Sequence, residues 1–120
     1  MRKICAALGV FVAMTVSVWA QAKQDFQLVN QTGYEISSVF VSASKTDEWE
    51  DDVLSDDTLG DGQTLNVHFK GAAKVCLFDI KVVYEEDDSE AIWRDIDLCK
   101  TSKVTIKYNK KTDTTTAFFD

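Results

Sequence analysis

Two β-branched and aromatic runs, Val75–Tyr84 (VCLFDIKVVY) and Glu90–Cys99 (EAIWRDIDLC), flank a short acidic stretch, and a cysteine sits near the outer end of each. The midpoint of positions 76 and 99 falls between Asp87 and Asp88, in the middle of Glu85-Glu86-Asp87-Asp88-Ser89-Glu90. This symmetry predicts a β-hairpin with a polar tip and with Cys76 and Cys99 facing each other at its far end. Direct pairing of the two cysteines without a bulge would put Asp95 and Asp97 on the face of Phe78 and Ile80. A register shifted by one would instead bring Leu98, Ile96 and Ile92 to the face of Phe78, Ile80, Val82 and Tyr84, which buries more apolar surface. A β-bulge near one cysteine reconciles the two demands and is expected here.

Whether those cysteines pair depends on the compartment. Met1-Arg2-Lys3 is a basic start, Ile4–Val18 (ICAALGVFVAMTVSV) carries no charge, and Ala20-Gln21-Ala22 fits a small-residue cleavage site. This is the pattern of a secretory signal peptide over residues 1–22. Cleavage is expected after Ala22, with Ala20 as the second choice. An apolar run of 15 residues falls short of the roughly 20 that span a bilayer, so no stable membrane anchor is expected once the peptide is removed. Cys5 leaves with it. Cys76 and Cys99 then remain as an even pair in an oxidising compartment, periplasmic or extracellular, and are expected to form one disulfide. Loop entropy assigns such a bridge about 3 kcal/mol.

Residues 23–120 read as one β-domain. Strand-like runs recur at Phe26–Val29, Tyr34–Ser42, Thr64–Lys70, Val75–Tyr84, Glu90–Cys99, Ser102–Tyr108 and Thr112–Phe119, with turn chemistry such as Asn30-Gln31-Thr32-Gly33 between them. In Thr64–Lys70, residues Leu65, Val67 and Phe69 share a face; in Ser102–Tyr108, Val104, Ile106 and Tyr108 point in and lysines out. Seven short strands with almost no helical periodicity predict an antiparallel β-sandwich, with a small β-barrel as the alternative.

One segment does not fit the strand pattern. Ser44–Gln63 (SKTDEWEDDVLSDDTLGDGQ) is too polar for a strand. Two helical turns are expected over Asp47–Leu54, capped by Ser44 or Thr46, with Trp49 and Val53 facing the sheet. The long, partly helical connection is expected to be packed by Trp49, Val53, Leu54 and Leu59.

Charge excludes several functions. Thirteen Lys and Arg stand against twenty Asp and Glu, a net of −7; loss of Arg2 and Lys3 with the signal peptide makes it −9 over 98 residues. Nucleic-acid binding demands the opposite sign. His68, the single histidine, lies in a strand pattern on the polar face, so His-based metal or triad chemistry lacks its parts. No serine stands in a G-x-S-x-G elbow, and Gly60-x-Gly62 lacks the rest of a phosphate loop. A non-enzymatic binding or structural module without a resident cofactor is therefore expected. Calcium is the one cofactor the composition allows: Asp51, Asp52, Asp56, Asp57 and Asp61 supply hard oxygen ligands on a loop, although EF-hand spacing is absent. A calcium-binding module is one alternative reading. An acidic inhibitor or partner of a basic extracytoplasmic enzyme is the other. The candidate contact surface is Asn30, Thr32, Trp49, Asp52 and Asp57. Trp49 and Leu54 beside the first acidic cluster offer an apolar anchor that the 85–90 tip is not expected to have.

Leu28-Val29-Asn30-x-Thr32-Gly33-Tyr34-x-Ile36, Val41-Ser42-x-Ser44, Trp49-x-x-Asp52-Val53-Leu54-x-x-Asp57-x-Leu59, Cys76-x-Phe78-Asp79, Trp93 and Asp97-Leu98-Cys99 together resemble a family of small exported bacterial β-domain proteins of uncharacterised function. The resemblance spans residues 26–106. It departs at Glu50 and Ser55, where members carry glycine. It implies a periplasmic or secreted bacterial β-domain and brings no activity and no functional residues with it.

The exported protein is expected to begin at Lys23. Intact mass of the extracytoplasmic form checks this, and a species retaining residues 1–22 would contradict it.

Overall fold

The computed structural model describes residues 22–46, 48–69 and 74–120. Residues 1–21 of the expected signal peptide lie outside this set, as do Asp47 at the head of the expected helix and Lys70 at the end of an expected strand. Among the described residues seven strands are present: β1 (Phe26–Gln31), β2 (Ile36–Ala43), β3 (Thr64–Val67), β4 (Leu77–Tyr84), β5 (Glu90–Asp97), β6 (Lys103–Asn109) and β7 (Thr114–Phe119). They form two sheets, one ordered β3-β1-β6-β7 and the other β2-β4-β5. Neither sheet closes on itself, so the architecture is a β-sandwich, not a barrel. Every pair is antiparallel except β1 with β6, which run parallel from Gln27 beside Lys103 to Gln31 beside Lys107.

Period-2 patterning explains the core. Leu28, Ile36, Val39, Ile80, Val82, Leu98, Val104 and Ile106 are completely buried between the sheets, where each side chain removed from water contributes about 1.5–3 kcal/mol. β1 and β2 are consecutive yet belong to different sheets. The corner between them is held by Asn30, which is wholly buried. Its amide nitrogen donates to the carbonyls of Tyr34 (2.8 Å) and Leu59 (2.9 Å). Its side-chain oxygen accepts from the Thr32 amide (3.0 Å) and the Thr32 hydroxyl (2.7 Å). Two donors and two acceptors is the full capacity of an asparagine. Gly33 completes the corner at φ +87, a left-handed conformation that glycine adopts without steric cost.

The β4–β5 hairpin carries the expected disulfide, Cys76–Cys99, with Cα atoms 5.2 Å apart. It carries a bulge as well, but at Arg94 and Asp95 and not beside a cysteine as expected. Phe78 faces Ile96 and Ile80 faces Trp93, so Arg94 and Asp95 together oppose the single residue Asp79. Asp95 adopts φ +57. The bulge reverses the alternation along β5: Ile96 points inward, and so do Trp93 and Ala91, which pair with Ile80 and Val82 and pack against the core. Ile92, expected inward, is therefore turned outward opposite Lys81 and is 40% exposed.

The carboxylate of Asp79 fills the bulge. Asp79 is buried, and its oxygens accept from the Asp95 amide (2.9 Å), the Ser44 hydroxyl (2.7 Å) and the Arg94 guanidinium (2.9 Å). Burial alone would raise its pKa; the three donors outweigh that and hold it below the ordinary carboxylate value.

The acidic connection is not helical among its described residues. Its polar groups are spent on β2 instead. The Val53 amide donates to the Val39 carbonyl (2.8 Å), and the Asp52 carboxylate accepts from the amides of Val39 (2.8 Å) and Leu54 (2.9 Å). A short acidic side chain that captures backbone amides competes directly with helix formation, and Ser55 at φ +56 ends any right-handed turn. Leu54 and Leu59 enter the core as expected, Trp49 packs on Phe40 with centroids 6.5 Å apart, and Val53 stays exposed.

Asp79→Ala is expected to cost about 2–4 kcal/mol at pH 7, because it strands the Asp95 amide and the Ser44 hydroxyl and leaves Arg94 without its partner. The depressed pKa gives the sign with pH: the contribution is full above the unfolded value of 3.8 and is lost as pH falls through the folded value. Urea denaturation at pH 7 and between pH 4 and 2 checks both parts; the variant should lose part of the wild-type acid sensitivity.

Candidate functional site

The two sides of the sandwich are closed differently. On the side of edge strand β2, residues 52–59 run along the strand. Ile36 and Leu59 exchange amide–carbonyl bonds of 2.9 and 2.8 Å, and Leu54 and Leu59 plug the gap between the sheets. On the opposite side the sheets end in β5 and β7. The inward positions there are Ala91 and Trp93 on β5 and Thr115, Ala117 and Phe119 on β7. All five are partly exposed, Phe119 by 44%. At the Tyr84 end of this side a cleft of about 490 Å³ opens, lined by Ala91 and Trp93 on β5 and by Thr114 and Thr115 on β7.

Tyrosines form one end of this cleft. Tyr34 comes from the β1–β2 corner, Tyr84 from the last position of β4, and Tyr108 from the last inward position of β6. Their rings meet edge to face, with centroids 5.5 Å apart for Tyr34 and Tyr108, 6.2 Å for Tyr84 and Tyr108, and 6.3 Å for Tyr34 and Tyr84, a favoured geometry for aromatic pairs. The Tyr84 hydroxyl bonds Thr115 Oγ1 across the two sheets at 2.7 Å. Ala91 and Trp93 extend the wall along β5.

The rim is acidic. Glu86 and Asp87 of the β4–β5 tip, Glu90 at the head of β5 and Asp113 of the β6–β7 turn line the mouth, and among the described residues no lysine or arginine does. Lys81 approaches Glu90 at 4.0 Å. Asp87 accepts from the amide and hydroxyl of Ser89 (3.0 and 2.7 Å), which lowers its pKa. The Tyr108 hydroxyl donates to Asp113 Oδ1 at 2.7 Å, and this bond to a carboxylate pushes the phenol up to about 12. Desolvation raises Tyr84 as well. Both phenols therefore stay neutral at physiological pH.

The expected contact surface is only partly at the surface. Asn30 and Thr32 are buried in the corner and offer nothing to a partner; the turn-like string Asn30-Gln31-Thr32-Gly33 is a strand end plus a fully bonded corner. Asp52 is occupied in clamping the connection to β2, so its carboxylate is structural, not simply solvated. Trp49 and Asp57 remain accessible, but neither lines the cleft. Leu54, the other expected anchor of that cluster, is buried, whereas the 85–90 tip stands beside the tyrosines and Trp93. Apolar surface thus accompanies both acidic clusters, Trp49 beside the first and the tyrosines with Trp93 beside the second.

The candidate calcium ligands are likewise dispersed. Asp61 accepts the Gly33 amide at 2.9 Å, and Asp51, Asp56 and Asp57 point to solvent. Among the described residues, the one set of three metal-ligating side chains with mutually close donor atoms is Cys76, Asp97 and Cys99, and both sulfurs are committed to the disulfide.

The tyrosine cluster itself was hidden in the sequence by its strand pattern. Tyr84 and Tyr108 are inward positions of alternating runs, the usual mark of core. The available signal was that each precedes a hairpin tip, which places both at one end of the sandwich.

The Tyr108 phenolate is expected to appear only near pH 12, and Asp113→Asn should bring its midpoint back toward 10.0. Ultraviolet titration of tyrosinate, with and without the substitution, reads this directly. The sign for stability is that the Tyr108–Asp113 contribution is complete below pH 10 and is lost as pH rises toward 12.

No family model matches the chain, and no curated protein matches it. A solved structure described as the NMR structure of the protein from Eubacterium rectale is similar in fold, with a TM-score of 0.58 and 18% identity over 79% of this chain and 85% of that one. At that identity the likeness concerns the β-architecture alone.

Proposed function

We propose that the protein is a non-catalytic extracytoplasmic binding module whose acidic, tyrosine-lined cleft takes a cationic group presented by a basic partner. The observation that carries this reading is the coincidence of three edge-packed tyrosines and Trp93 with four rim carboxylates and, among the described residues, no lining cation. A guanidinium or ammonium gains from both: the ring faces attract it through their quadrupoles, and the carboxylates pair with it where water is partly excluded. Charge of the same sign elsewhere on the molecule steers a basic partner toward it.

The compartment fits this reading. The small domain is disulfide-bonded, and among the described residues no helix is long and apolar enough to cross a membrane; both are compatible with an extracytoplasmic location. The proposed route is a signal peptide cleaved after Ala22, or after Ala20, to release the domain into the periplasm or the medium. The resemblance to small exported bacterial β-domains supports the same compartment.

A blocked hexa-arginine peptide is the test ligand, with Trp fluorescence and calorimetry as readouts. Binding should weaken steeply from low to physiological salt. Glu86→Lys with Glu90→Lys should reduce affinity about tenfold or more, while Asp51→Lys with Asp56→Lys should change it by less than about threefold, since those side chains stand away from the cleft. Equal binding by both double variants would remove the cleft from consideration.

A further inference from the structure

We infer that the partner binds as an extended basic peptide, adding a strand to the free edge of β7 and placing a cationic side chain among the tyrosines. The inference rests on the cleft reading above and adds the form of the ligand and its register.

A sheet edge with unpaired amides and carbonyls invites another strand unless the protein blocks it. Among the described residues, three of the four edges are blocked. β2 is covered by the 52–59 segment through Val39 and Ile36. β5 is broken by the bulge at Arg94 and Asp95. β3 has only four residues. β7 has none of these defences. It pairs with β6 in unbroken register from Val104–Phe119 to Asn109–Thr114. Its sequence TTTAFF contains no charge, no proline and no glycine, and Phe118 and Phe119 are both exposed.

The ladder says which groups are free. Asp120 and Lys103 exchange two backbone bonds: the Lys103 amide reaches the Asp120 carbonyl at 3.1 Å, and the Asp120 amide reaches the Lys103 carbonyl at 2.9 Å. In an antiparallel pair, bonded and non-bonded positions alternate. Thr114, Thr116 and Phe118 therefore bond to β6, and Thr115, Ala117 and Phe119 turn their amides and carbonyls outward. Those same three residues point their side chains toward the cleft. A strand added antiparallel to β7 would bond to Thr115, Ala117 and Phe119, and its residues opposite them would face the cleft at every second position. Opposite Thr115 lie the tyrosines and Asp113, the place for arginine or lysine. The position opposite Ala117 lies past the cleft's lining, on the half-buried inward face of the sheet, the place for a medium apolar side chain. Charge complementarity with the rim selects a basic segment over an acidic or neutral one.

The probe is the end-blocked heptapeptide Thr-Val-Thr-Val-Thr-Arg-Thr, with a glutamate-for-arginine version as control. Amide exchange followed by NMR on the intact exported domain should show Thr115, Ala117 and Phe119 slowed about tenfold or more on addition of the arginine peptide, with Thr116 and Phe118 little changed. Ala117→Pro removes one outward amide, the kind of position where an edge strand tolerates proline. It should cost at least about tenfold in affinity for the heptapeptide. Exchange on the wild-type domain carries the test if that variant fails to fold. Arginine-dependent shifts at Tyr84, Tyr108 and Trp93 without protection on β7 would overturn strand addition and leave the cation cleft standing. Equal binding of the glutamate peptide would keep the edge and overturn the cleft reading. Protection of β7 that grows with protein concentration, in the absence of peptide, would show that a second copy of the chain is the occupant and overturn the inference.

Discussion

A single buried carboxylate sets the geometry on which the open side of the molecule depends. Asp79 lies on the outer face of the β2-β4-β5 sheet, beneath Ser44 and Arg94. Because it must be satisfied where it is buried, β5 carries one extra residue opposite it, and the Asp95 amide is delivered into hydrogen-bond range. That extra residue inverts the facing of everything earlier in β5. Without it, Ile92 would face the core and Trp93 would face water; with it, Trp93 and Ala91 line the cleft. A polar requirement on one face of the sheet thus decides which side chains stand on the other.

The sandwich is asymmetric for a related reason. The acidic connection supplies both the leucines that plug one side and the carboxylate that fixes the plug, since Asp52 ties the segment to Val39 while Leu54 and Leu59 descend between the sheets. Among the described residues no comparable segment lies over β7. The half-exposed Ala91 and Trp93 of β5 and Thr115 of β7 are left at an open edge, where they line a concave surface with the tyrosines.

Much of this was legible in the residues. Alternation in Val104, Ile106 and Tyr108, the symmetric placing of Cys76 and Cys99, and the conflict between disulfide register and burial led to the strands, the hairpin and its bulge. What the pattern could not show was how acidic residues in the connection divide their work. Asp52, Asp57 and Asp61 look alike in sequence, yet Asp52 and Asp61 hold backbone amides and Asp57 is free in water. Asn30 and Thr32 have turn chemistry, and only the sheet-to-sheet crossover, a long-range event, turns that chemistry inward. The parallel pairing of β1 with β6 is of the same kind: strand runs 76 residues apart carry no local mark of their direction.

That parallel pairing also decides how the domain presents itself. Since β1 runs with β6 and β7 runs against it, the start of β1 and the end of β7 lie together, both fastened to Ser102: its carbonyl accepts the Gln27 amide at 2.9 Å, and its amide donates to the Asp120 carbonyl at 2.8 Å. The tyrosines lie at the other end of these strands, on the order of 20 Å away at the usual rise per residue. Any chain joined before Lys23 or after Asp120 therefore departs from the pole opposite the acidic mouth. Tethered from either direction to a surface, a matrix or another domain, the module would hold its mouth outward.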